Sequence, residues 1–375
     1  SENLTQQQAK KISFDTPVMG TQTRAIETVD YGDDWRGIGE VSGTAFPKSQ
    51  FFGFGIFANM HEDDYSAWDA GKNFWDWRLD TEWESFNTTF SSKAGRYDED
   101  SDSFIIVDGN GDEEIYYYPN GYKLSFEAFA PYDVSGVTCG DDGLTITDYT
   151  HFYNNEWQSY NTNTCIDLMY TGLVANRIAE NQPENGIPLV FKHTMASIAV
   201  VLDIPTDGEF TYWIHDITIS GNNFITTATF KENDGVDGET PRWMTEDATG
   251  ESMTFTFYDS SDELTPDEEG GTIYTLNGGE SALLMIPQDV PADAIMTVFY
   301  TMVKEPDEYY EYEKEIKLTD FLIEGEGTIE TWEMGNRYRY IVKFAQNERK
   351  PLKFNPSIAE DWKVGGDAEY TITDL

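Results

Sequence analysis

The sequence predicts an all-β protein made of two antiparallel β-sandwich domains. Three observations carry that expectation: short runs alternate apolar and polar residues, aromatics are 15% of the 375 residues, and no stretch holds a helical period. The clearest run, residues 123–130, alternates and stops at Pro131. Residues 115–118 read as a strand before it, across the turn signal of Pro119, Asn120 and Gly121. Residues 198–204 read as a buried strand. Residues 214–220 alternate, and Gly221, Asn222 and Asn223 predict a turn into residues 224–230. Residues 253–258, 282–286, 296–302, 310–318 and 337–344 add strands at hairpin spacing. Residues 48–59 hold too much Phe and Gly for a helix, and 195–202 too many β-branched residues. Residues 63–90 fit neither period and read as loop and irregular strand.

Length and punctuation give the domain expectation. At a usual ~100–200 residues per domain, the chain calls for two. Residues 180–188 carry no apolar side chain before Ile187 and are interrupted by Pro183 and Pro188, so the break is expected there. The expected division is a tail at 1–24, one sandwich at 25–185 and a second at 186–375.

Charge excludes some functions. There are 69 Asp and Glu against 24 Lys and Arg, a net charge of -45. Nucleic-acid binders need clustered cations to displace phosphate counterions, so that class is excluded. An anionic membrane surface is disfavoured for the same reason. Acidic chains that stay disordered have few aromatics, whereas this one has 22 Tyr, 23 Phe and 10 Trp. A folded, soluble protein with acidic loops is expected. No apolar run approaches the ~18 residues of a membrane span, and no signal peptide is read. The start at Ser1 without Met fits a mature or trimmed form.

Residues that could carry chemistry are scattered. No GxSxG motif occurs, and His61, His151, His193 and His215 are far apart; His193 reads as a hydrogen-bonded structural residue. Carboxylate pairs are too numerous to single out a glycosidase dyad, which leaves a secreted hydrolase as a weak rival. Asp108, Asn110 and Asp112 begin like an EF-hand loop. However, Glu113 stands where the glycine belongs and Pro119 where the bidentate Glu belongs, so a turn is expected. No glycine-rich phosphate loop opens a helix, and no cofactor is expected. Cys139 and Cys165 show no metal-ligand spacing; they read equally as a disulfide or as two thiols. Trp68, Trp75, Trp77 and Trp83 are candidate glycan contacts, since indole faces beside Asp and Asn can stack on sugars. Packing of a loop onto a sheet is the favoured reading of the same rings.

The two ends read as separable strands. Ile12 and Phe14 alternate ahead of Pro17, and Arg24 stands alone in a polar stretch, so the Arg24–Ala25 bond is an easy protease target. After Gly365 and Gly366, which would let the end swing away, Tyr370 and Ile372 alternate in a segment suited to joining a sheet edge of its own or another chain.

The sequence also resembles a known family. The resemblance lies in Tyr117-Tyr-Pro119, residues 124–132, residues 188–193 leading into 196–200, residues 217–221, 284–288, 332–340 and 358–362. In order and spacing these are similar to the fimbrillins, the type V pilins and related pilus lipoproteins of anaerobic Gram-negative bacteria. The resemblance implies two transthyretin-like, Greek-key sandwiches and no enzymatic activity. It implies export as an outer-membrane lipoprotein precursor, with the lipidated Cys upstream of Ser1, and display at the cell surface. For stalk subunits it implies that an arginine-specific protease cuts after Arg24. That cut removes the strand with Ile12 and Phe14, and the groove takes a strand from another pilin subunit in a homo- or heteropolymer. Tyr370, Ile372 and Leu375 match the donor. Adhesion to host or bacterial surface ligands is the implied outcome. An uncleaved tip or anchor subunit and a glycan-binding surface lipoprotein are the alternatives.

Overall fold

One face of Lys123–Ala130 and one face of Phe54–His61 are wholly apolar, and the opposite faces, though they carry polar residues, are also largely buried. The computed structural model describes residues 10–15, 18–19, 53–76, 90–101, 103–132, 134–150, 159–161, 167–233, 241–261, 263–276, 283–325, 327–345 and 363–373. The first strands are β1 (Val18–Met19), β2 (Phe54–His61), β3 (Lys72–Asn73), β4 (Lys93–Asp98), β5 (Ser103–Val107), β6 (Lys123–Ala130), β7 (Val137–Gly140), β8 (Gly143–Thr150), β9 (Ser159–Asn161), β10 (Met169–Arg177) and β11 (Val190–His193). Then come β12 (Ala196–Asp203), β13 (Thr211–Phe224), β14 (Thr227–Lys231), β15 (Arg242–Met244), β16 (Glu251–Asp259), β17 (Ile273–Leu276) and β18 (Leu283–Met285). The last are β19 (Gln288–Asp289), β20 (Ile295–Lys304), β21 (Glu308–Lys317), β22 (Thr331–Trp332), β23 (Asn336–Ala345) and β24 (Lys363–Thr373). Among the described residues there is no α-helix, only short 3-10 turns.

The first sheet runs β1-β11-β10-β6-β2-β4-β5, with β3 on β2. It separates two cores. Leu124, Phe126, Ala128 and Ala130 of β6, with Phe54, Ile56, Ala58 and Met60 of β2, enter the N-terminal core. Phe129 and Phe57 point the other way, into the larger core that the remaining sheets share. The other sheets run β17-β12-β23-β24 with β18 on β12, β21-β20-β13-β16-β9, β15-β14-β8-β7, and β19-β22. β20 alternates as a one-sided strand should: Met296, Val298, Tyr300 and Met302 are buried in the larger core. Pairing is mainly antiparallel, but β1–β11, β9–β16, β12–β23 and β23–β24 are parallel, which hairpin spacing alone does not predict.

Several local expectations are corrected. Residues 221–223 are not a hairpin turn: β13 continues to Phe224 and absorbs them as a register shift against β16. Asp293 accepts from the Asn222 amide, and buried Phe224 anchors the end. Residues 115–118 form no sheet strand. β5 pairs with β4, while Tyr116 and Tyr118 bond to the N-terminal segment. Gly365 and Gly366 are no hinge; they lie inside β24 at a register shift opposite Tyr338, where a Cβ on Gly365 would stand 2.5 Å from the Tyr338 ring. The acidic residues 108–112 form a tight turn in which the Asp108 carboxylate accepts from the amides of Asn110 and Asp112.

Sheet membership passes from the first to the second half of the chain between His193 and Ala196. Two strands of the first half pair across to the second, β8 with β14 and β9 with β16.

Candidate functional site: the seat of the N-terminal segment

Residues 10–15 lie as an extended piece between two backbones. On one side the Ile12 amide donates to Tyr116 O at 2.8 Å and the Tyr118 amide to Lys10 O at 3.1 Å. On the other, the Ile187 amide donates to Ser13 O at 2.8 Å and the Asp15 amide to Ile187 O at 2.9 Å. The chain then continues parallel to β11 at Val18 and Met19. Alternation sends Ile12 and Phe14 into the N-terminal core, 7% and 5% exposed, where Phe14 meets the Phe126 ring edge-on at 5.4 Å.

Side chains close the seat. Lys10 Nζ donates to the carbonyls of Ala179 and Gln182, and Lys11 pairs with Glu113 at 2.6 Å. Gln182, in the stretch where sequence punctuation predicts a domain break, is buried and bonded to the segment. Gly186 sits at φ 104°, and a Cβ there would stand 2.7 Å from Asp15 N and Phe14 C. Only glycine lets this wall approach the segment so closely. Burial pushes the Tyr118 phenol well up; its hydroxyl donates to Gln182 at 2.9 Å. Lys93, 2.9 Å from Glu114, holds that carboxyl below the usual range.

The C-terminal residues sit elsewhere. β24 pairs in parallel with β23 from Lys363 to Thr373, and the Leu322 and Glu369 backbones bond on its other side. Ile372 is 2% exposed in the larger core, and Tyr370 packs 5.8 Å from Phe321. Tyr370 and Ile372, two of the three predicted donor side chains, thus lie in their own chain's sheet.

Trp68 and Trp75 are buried in different cores. Trp75 packs on Tyr116 at 4.8 Å and its Nε1 donates to Ile56 O, while Trp68 packs on Phe90. Neither indole presents a face to solvent. Trp77, Trp83, Arg24, Ala25, Leu375, His151 and Cys165 fall outside the described residues. Cys139 is a free, buried thiol, and burial pushes its pKa well up. His193 is buried with Nδ1 2.9 Å from Asp167, and His215 bonds Thr301. No cluster of metal-ligating residues occurs among the described residues. Sequence reasoning missed Gln182 and Gly186, because Pro183 and Pro188 beside them signal only a loop.

Among the described residues the fold is all-β, with residues 10–15 bridged to the backbone and residues 363–373 paired in a sheet of the same chain. The chain belongs to the fimbrillin-like family, whose model matches residues 60–362. Among solved structures it is similar to a fimbrial protein from Bacteroides vulgatus, with 15% identity, TM-score 0.47, and coverage of 89% of this chain and 94% of that one. It is also similar to a candidate cell adhesion protein from Bacteroides ovatus, with 13% identity, TM-score 0.41, and coverage of 89% and 92%. No curated protein matches the sequence. The family assignment rests on the family match, not on these structural overlaps.

Proposed function

We propose that the chain is a non-enzymatic structural subunit of a cell-surface fimbria. In this reading it is exported as an outer-membrane lipoprotein precursor and joined to other pilin subunits by strand exchange at the seat of residues 10–15. The observation that carries the reading is that this segment is an extended piece held by backbone bonds and two buried side chains. Burying Ile12 and Phe14 contributes about 1.5–3 kcal/mol each. Each backbone hydrogen bond adds about 0.5–1.5 kcal/mol net, while fixing each residue costs about 1–2 kcal/mol. Gain and cost are of similar size, so the covalent tether keeps the strand in place. Cutting at Arg24–Ala25 by an arginine-specific protease removes the tether, and the opened groove has the apolar lining and free backbone groups that accept a new strand.

Tyr370, Ile372 and Leu375 are the donor in this reading, and β24 leaves β23 when it is donated. A second reading is favoured by the docking of both ends in their own chain: an uncleaved tip or anchor subunit. The test is the surface-purified protein and its Arg24→Ala variant. The stalk reading expects a polymer ladder of subunits beginning at Ala25, lost in the variant. A variant that still polymerises overturns it and leaves the tip or anchor role.

A further inference from the structure

The Gln182 side chain makes three hydrogen bonds to the N-terminal segment and one to Tyr118. Its Oε1 accepts from the Ser13 amide at 3.2 Å and from the Tyr118 hydroxyl at 2.9 Å. Its Nε2 donates to Lys11 O at 3.2 Å and to Ser13 Oγ at 3.1 Å. We propose that Gln182 is the positioning residue that sets the register of any strand in the seat, and that it selects an apolar–hydroxyl–apolar pattern.

The pairing geometry supports this. Phe14 bridges Ile187 in parallel, and the Ile187 peptide takes Ser13 O and the Asp15 amide. In a parallel ladder the next peptide toward the start would come from residue 185, and it would take Lys11 O and the Ser13 amide. Gln182 supplies both partners from a side chain, so its amide replaces that peptide. A backbone peptide reads no side chain, but Nε2 also reaches the Ser13 hydroxyl, which adds a preference for Ser or Thr between the two inward residues. A slip by one residue would turn Ile12 and Phe14 out of the core. A slip by two would place Lys11 or Asp15 over Gln182. Gly186, closing on Ser13 O from the same loop, leaves no room to tilt the strand. Tyr370, Thr371 and Ile372 repeat the pattern, so in an exchanged strand Thr371 takes the place of Ser13. That last step rests on the strand-exchange reading; the pairing of Gln182 with Ser13 does not.

The test is amide exchange on the uncleaved full chain, read at Tyr118, whose amide bonds Lys10 O and reports opening of the seat. Ser13→Val, which deletes one of the four bonds, is expected to speed exchange about tenfold, and Gln182→Ala, which deletes all four, by more than that. The double variant is expected to match Gln182→Ala, because that change already removes the one contact that Ser13→Val deletes, and Ser13→Thr should keep the original rate. Effects that multiply in the double variant, or exchange unchanged in Ser13→Val, overturn the proposal. Neither outcome depends on polymer formation, so failure here is distinct from failure of the pilus reading.

Discussion

Glu127 of β6 and Glu232, just after β14, meet side chain to side chain in the seam between the first sheet and the four-stranded sheet. Glu127 is 2% exposed, and its Oε2 has no hydrogen-bond partner. Glu232 accepts from the Leu144 amide at 2.9 Å. Burial first, then the charge and hydrogen bond of Glu232, push the Glu127 carboxyl well above its ordinary range, with Lys192 opposing weakly. The folded chain therefore holds a proton that the unfolded chain releases. Below the unfolded value near 4.5 this group costs nothing. As pH rises from there through the folded value, stability is lost, because unfolding frees the proton.

Glu127→Gln keeps the shape and removes the titration. Its thermal midpoint should exceed the parent's by more at pH 8 than at pH 5. Comparing the two proteins at each pH cancels the exposed carboxylates, such as Asp64 and Asp259, whose lowered values act in the opposite direction. An equal offset at both pH values would contradict the assignment.

Gly186→Ala adds a Cβ at φ 104°, against the backbone of Ser13, Phe14 and Asp15. The left-handed conformation alone costs about 1–2 kcal/mol for an L side chain. The contact is with backbone, which cannot rotate away. The expected result is a displaced N-terminal segment on a core that stays folded. Limited proteolysis should cleave before Asp15 at least tenfold faster, while amides of β12 keep their protection.

The sequence made some of this legible and concealed the rest for identifiable reasons. β20 could be read because Met296, Val298, Tyr300 and Met302 alternate into one core, and β6 because its apolar residues alternate, although Ser125 and Glu127 on its other face are buried too. Gly221, Asn222 and Asn223 misled because the same residues serve a turn and a bulge; the pairing of β13 with β16 decides which. The burial of Ile12 and Phe14 follows from their alternation, but their partners do not. Gln182 lies 169 residues from Ser13, so no local period reports the contact. Gly365 and Gly366 suggested freedom, yet the Tyr338 ring opposite explains at least Gly365 by close approach.

Phe14→Ala deletes the ring that meets Phe126. Large-to-small changes of this kind cost about 3–5 kcal/mol in a rigid core. Here the loss is capped, because the whole segment can leave once its anchor weakens. Global stability by urea denaturation should fall by less than that range, while exchange at the Ile187 amide rises sharply. A full loss in the global transition without local release would show that the segment is integral to the core.

Lys343 of β23 is 3% exposed, and its ammonium lies 2.5 Å from Glu369 of β24, whose side chain is 26% exposed. An ammonium taken out of water without a counter-charge is costly, so removing one partner of a buried pair is worse than removing both. Glu369→Ala should therefore destabilise the chain by about 2–3 kcal/mol, below the usual range because Glu369 is partly hydrated. It should also loosen β24, seen as faster exchange of the Leu322 amide, which bonds Glu369 O. Lys343→Met combined with Glu369→Leu should recover most of the loss. If the double change is no better than Glu369→Ala, the pair is not what holds β24, and the aromatic contact of Tyr370 with Phe321 becomes the stronger account of its docking.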